Sequence, residues 1–101
     1  MTDFKNITRQ IVDLYSPQKI LLFGSQAKGT ATERSDIDLC IIMETQRTKE
    51  RRRLLADMYC DIESLVPIDI LLYTPDEWEQ CVKDKCTFAY KINKEGITLY
   101  G

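Results

Sequence analysis

Two aspartates, Asp36 and Asp38, stand at the head of the apolar run SDIDLCII in this 101-residue chain. Side chains alternate between faces along an extended strand, so Asp36, Asp38, Cys40 and Ile42 share one face, and Ile37, Leu39 and Ile41 share the other. A third aspartate, Asp69, sits among Ile68, Ile70, Leu71 and Leu72 in a second such run. Carboxylates are costly to bury unpaired, and neighbouring ones repel each other. Something positive is expected between them.

The rest of the chain reads as helices and strands around these runs. Phe4, Ile7, Ile11 and Leu14 recur at helical spacing and predict an amphipathic helix that ends before Ser16-Pro17. Lys19 to Phe23 reads as a buried strand. Gly24-Ser25 opens one or two helical turns that reach about Gly29, and the next strand covers 36–43. A helix over 48–65, with Leu54, Met58, Ile62 and Leu65 on one side, is expected to stop at Pro67. A strand follows over 68–73. Thr74-Pro75-Asp76-Glu77 is a capping box with proline at the first helical position, and it predicts a helix bearing Trp78, Cys81 and Val82. A short helix over 87–94 and a terminal strand over 97–100 complete one domain, residues 1–101, with no repeat or linker. The class is α/β or α+β with a sheet of three or four strands, whose directions the pattern leaves open.

Composition narrows the chemistry. A net charge of −2, with 30% charged and 44% hydrophobic residues, gives no expectation of nucleic-acid binding. The basic cluster Arg47, Lys49, Arg51, Arg52 and Arg53 has few aromatics among it and reads as a solvated helix face. No apolar run approaches the roughly 20 residues of a membrane span, and the start MTDFKNITRQ lacks a secretory layout, so a cytoplasmic protein is expected. Cys40, Cys60, Cys81 and Cys86 have no metal spacing and read as reduced core residues. The chain has no histidine, which excludes imidazole-based triads and histidine-ligated zinc.

Carboxylates and oxygen-loving metals are left to carry any catalysis. A structural ion-pair network would also satisfy Asp36, Asp38 and Asp69, but the nearby arginines read as solvated, and an all-oxygen set favours magnesium or manganese. Gly24 ends a strand and permits close backbone approach, while the amides of a following helix start are donors for an anion and Ser25 adds a hydroxyl. Triphosphate anchored there would lie ten residues upstream of the paired aspartates. Lys28 and Arg34 are further candidates for phosphate contacts, with solvated surface charge as the alternative for each.

The joint pattern of Gly-Ser, ten residues, then Asp-x-Asp, with strands on both sides, resembles the signature of the DNA polymerase β nucleotidyltransferase superfamily. GSQAKG and SDIDL are similar to the form found in its minimal members, and the likeness extends through VPIDILLY and INKEGITLY. The resemblance implies a mixed sheet flanked by helices. It implies two magnesium ions, replaceable by manganese, on Asp36, Asp38 and Asp69, and a nucleoside triphosphate held by Gly24 and Ser25. It also places Asp69 near the attacking hydroxyl as a proton acceptor. Relatives often carry arginine where Gln26 stands, and glutamine lacks that fork of donors.

Minimal members of this kind resemble antitoxins that transfer AMP from ATP to a tyrosine of a small helical HEPN-type toxin. That partner is therefore expected, and a homo-oligomer is a further possibility. Two alternatives stay open: a small-molecule nucleotidyltransferase of the aminoglycoside-modifying kind, and a catalytically weak module that binds a partner by contact alone.

Overall fold

The computed structural model describes residues 4–29, 36–45, 48–64 and 66–101, and of residues 48 and 49 the backbone alone. Helix α1 (Phe4–Tyr15) buries Ile7 and Ile11. Leu14, expected on the same face, is 54% exposed. The stripe continues from Ile11 to Tyr15 at i+4 instead, and the Tyr15 hydroxyl donates to Asp61 Oδ2 at 2.8 Å. Strand β1 (Lys19–Phe23) leads through Gly24 into the single turn α2 (Ser25–Lys28). Strand β2 (Ile37–Ile42) is one residue shorter at each end than the predicted 36–43, and its first amide, that of Ile37, donates to Pro67 O at 2.9 Å.

Helix α3 (Thr48–Asp61) ends well short of Pro67. The cause is tertiary. The Gln10 side chain takes both backbone groups of Glu63: Oε1 accepts from its amide at 2.7 Å, and Nε2 donates to its carbonyl at 3.0 Å. That pairing substitutes for helical hydrogen bonds and leads the chain out of the helix. Met58 and Ile62 still reach the core as expected, whereas Leu65 lies outside the described residues. Strand β3 (Ile68–Tyr73), helices α4 (Pro75–Cys81) and α5 (Phe88–Glu95) and strand β4 (Ile97–Tyr100) follow. At the start of α4 both halves of the predicted capping box are made: the Thr74 hydroxyl accepts from the Glu77 amide and the Glu77 carboxylate from the Thr74 amide.

The sheet is mixed, in the order β3-β2-β1-β4. Strand β1 runs antiparallel to β2 and β4, while β2 and β3 are parallel and joined across α3. Its two faces are packed by different helices. Ile20, Leu22, Ile37, Leu39, Ile41, Ile70 and Leu72 meet α1 and α3, while Leu21, Cys40 and Ile42 meet Trp78 of α4 and Ala89 and Ile92 of α5. The alternation predicted for β2 is therefore the one that divides the two cores.

Two expectations need correction. Cys40 is buried and Cys81 half-buried, but Cys60 and Cys86 are exposed and pack into no core; all four are free thiols. Each of those two stands on a solvent-facing part of its segment, where residue type does not decide burial. In the basic stretch, Arg52 and Arg53 are exposed, but Arg51 is half-buried and grips Glu77 of α4 through two hydrogen bonds, at 2.7 and 3.3 Å. Arg47 lies outside the described residues.

Candidate active site

Phe23, Asp38 and Asp69 stand side by side across three neighbouring strands. Phe23 is the register partner of Asp38 in the antiparallel pair, and Asp38 that of Asp69 in the parallel pair. Register partners point to one face, so the two carboxylates share the face covered by α4 and α5. Asp36, just ahead of β2, is two residues from Asp38 and adds its charge to the same end. Asp38 and Asp69 are thus neighbours at one end of the sheet, and Asp36 is near enough for its charge to act on Asp38.

Their burial differs from what the sequence implies. Asp69 lies on an edge strand and is exposed, as is Asp36; only Asp38 is half-buried. The cost of an unpaired carboxylate therefore falls on Asp38. Burial raises its pKa above the ordinary aspartate value, and the charges of Asp69 and then Asp36 raise it further. A cation at this end would reverse the repulsion between them. The donor set, all oxygen and without a nitrogen or sulfur ligand, fits a hard divalent ion such as magnesium. Among the described residues no group of three or more His, Cys, Asp or Glu side chains is already gathered into a metal site. Magnesium commonly binds through one or two carboxylates and completes its shell with water and substrate phosphate.

Gly24 is the pivot. Its φ of 76° and ψ of −154° fall in a region essentially confined to glycine, and a Cβ built on it would collide with Asp38 Oδ2. The carboxylate occupies the space a side chain would have filled. The Gly24 turn and the Asp38 carboxylate therefore touch. Ser25 and Gln26 are half-buried in α2, and Lys28, at the end of that turn, is exposed and 4.0 Å from Glu95 of α5. Arg34 lies outside the described residues.

From Gly24 and Asp38 a cleft of about 320 Å³ runs between α2 and α5. Phe23, Phe88 and Ile92 supply its apolar wall. Gly96 closes its base: a Cβ there would meet the Ile92 and Leu22 carbonyls, so glycine lets the end of α5 approach β1. The α5 residues were not singled out in the sequence. Phe88, Lys91, Ile92 and Glu95 do follow the i, i+3, i+4, i+7 rule of one helix face, but nothing local says that this face meets Gly24.

A nucleotidyltransferase domain family model matches residues 4–98, nearly the whole chain. The chain belongs to the nucleotidyltransferase domain family. Among curated proteins none matches it. The family accounts for the mixed sheet flanked by helices and establishes the class of activity as nucleotidyl transfer. No described helix of this nucleotidyltransferase domain is long and apolar enough to cross a membrane.

Proposed function

We propose that this domain transfers a nucleoside monophosphate, AMP from ATP, to a tyrosine hydroxyl on a small helical HEPN-type toxin, and so acts as its antitoxin. The single observation that carries the transfer chemistry is the interlock of Gly24 with Asp38, which puts the turn we read as the phosphate holder directly against a carboxylate we read as a metal ligand. Asp36, Asp38 and Asp69 are the residues that would hold magnesium. When bound, the metal supplies charge neutralisation and Lewis acidity at the phosphates.

The chain's own residues have separable tasks. Gly24 and Ser25 hold the β- and γ-phosphates, which leaves the α-phosphorus facing Asp38. Lys28, whose exposed contact with Glu95 is weak, is free to swing toward the phosphate tail. Asp69, exposed on the edge strand, stands where an acceptor arrives and takes the hydroxyl proton. The tyrosine oxygen then bonds to the α-phosphorus, the bond to the bridging oxygen breaks, and pyrophosphate leaves. Exposure of Asp36 and Asp69 favours an acceptor presented by a macromolecule, since among the described residues both carboxylates stay open to solvent. A tyrosine that gains a phosphodiester charge beside an RNA site would repel RNA, which gives the transfer an inhibitory outcome.

The test is coexpression with the adjacent helical reading frame, followed by intact-mass measurement of both proteins. A gain of one or more AMP units on the neighbour, lost in the Asp36→Asn/Asp38→Asn double variant, is expected. Full protection by that double variant with no mass gain would instead establish neutralisation by contact alone. Transfer of label from α-labelled ATP to an aminoglycoside, and not to the protein, would assign the small-molecule reading.

A further inference from the structure

We infer that the apolar cleft beside Gly24 receives the base of the nucleoside triphosphate, stacked on Phe88. The inference rests on the proposal that Gly24 and Ser25 hold the phosphates, and it adds the subsite that grips the other end of the same molecule.

Phe88 is 54% exposed, although it opens α5 and lines a concave site. Its ring meets Phe23 edge-to-face, with centroids 5.4 Å apart and planes at 83°. Such a pair engages one ring's edge and the other's face, and leaves aromatic surface available to a further flat ring. Phe23 fixes where this aromatic corner lies, being the residue before Gly24 and the register partner of Asp38. A ligand anchored by its phosphates at Gly24 therefore has an apolar, aromatic surface within the same cleft. Ile92, one turn after Phe88 and almost wholly buried, backs the wall.

The cleft's size selects the occupant. About 320 Å³ is at the lower end of the ~300–1,000 Å³ range of small-molecule sites, which suits one heterocycle with its sugar. Its rim is polar on both sides. Lys28 of α2 and Glu95 of α5 face each other at 4.0 Å, both about half exposed, so their contact can be opened at little cost. Lys28 then turns to phosphate and Glu95 remains as an acceptor at the mouth.

Calorimetric titration of wild type and Phe88→Ala with ATP and with inorganic tripolyphosphate, in magnesium, separates the two ends of the ligand. Expected is a loss of roughly 5- to 150-fold in ATP affinity in Phe88→Ala, the range that stacking of a base on an aromatic side chain supports, with tripolyphosphate affinity unchanged. Phe88→Trp should restore ATP binding. Equal ATP affinity in wild type and Phe88→Ala overturns the inference, and so does equal weakening of both ligands, which would mean the ring only supports the fold. A raised KM for the acceptor with ATP affinity unchanged would assign the cleft to the acceptor and overturn it as well. Failure of wild type to bind either ligand would instead overturn the phosphate site on which the inference rests.

Discussion

Gly24 and Asp38 fill one space between them, and each constrains what the other can be. A Gly24→Ala variant meets two obstacles: a backbone at φ 76° that suits glycine, and a collision with Asp38 Oδ2. The backbone strain alone costs about 1–3 kcal/mol. Urea unfolding of a double-mutant cycle separates the two, because in an Asp38→Ala background the collision disappears and only the strain remains. The Gly24→Ala penalty should therefore be smaller there; an equal penalty in both backgrounds would show that the carboxylate contact does not demand glycine. Asp38→Asn should act in the opposite direction on the metal-free protein. Since the fold raises the pKa of Asp38, the native state favours the protonated form, and stability is lost as pH rises from the ordinary aspartate range through the raised folded value. Asparagine escapes that loss. Thermal melts in chelator should show a higher Tm for Asp38→Asn than for wild type at pH 7, with the difference gone near pH 3, while transfer activity falls sharply. At this scale the sequence was informative, because an aspartate in an apolar strand and a glycine at its neighbour's end are local anomalies. The contact between them was not legible, since it depends on the β1–β2 register, which brings Phe23 beside Asp38.

Between elements, the capping box of α4 also receives a long-range contact. Glu77 closes the box with Thr74 and accepts two hydrogen bonds from Arg51 of α3, so one carboxylate ties two helices to the end of β3. The hydrogen bond from the Thr74 amide, followed by that from Arg51, lowers the pKa of Glu77. A lowered carboxyl pKa contributes stability that is present above the unfolded-state value and is lost as pH falls through the lower folded value. Glu77→Gln keeps the shape of the cap and removes the charge. It should cost about 0.2–1 kcal/mol at pH 7 by urea unfolding, chiefly from the weakened Arg51 contact. Its stability should also change less than wild type's between pH 5 and pH 3, and parallel pH profiles for the two proteins would refute this role. The box itself was readable from Thr74-Pro75-Asp76-Glu77, four consecutive residues with one geometric solution. Arg51 was not, and neither was the early end of α3, because Glu77 and Gln10 are distant in sequence from the groups they hold. Local chemistry marks where an element starts; tertiary partners decided where this helix stopped and which arginine left the solvent.

The whole molecule places the Gly24 turn, Asp38 and an aromatic cleft at one end of a single sheet whose opposite faces are closed by separate pairs of helices. The four strands, to within a residue at their ends, and the two faces of β2 were legible, but the order β3-β2-β1-β4 and the parallel β2–β3 pair were not, since hydrophobic alternation is the same for either direction. That parallel pair aligns Asp69 with Asp38. The arrangement predicts how metal and nucleotide bind together. Asp36 and Asp69 are exposed and Asp38 is half-buried, so the protein offers carboxylates on an open edge, and a magnesium ion would complete its shell with phosphate oxygens. ATP and magnesium should each stabilise the domain little when added alone and much more together. At tenfold excess over the dissociation constant, linkage supplies about 1.4 kcal/mol, or roughly 6–11 °C in Tm for a domain of this size. Thermal melts with magnesium, ATP, both or neither would measure the excess over additivity, and Asp36→Asn/Asp38→Asn should abolish it. If magnesium alone gave the full shift and ATP added nothing, the carboxylates would be a self-sufficient cation site and the triphosphate would bind elsewhere. Reciprocity makes the measurement stringent, since magnesium must strengthen nucleotide binding by the same factor by which nucleotide strengthens magnesium binding.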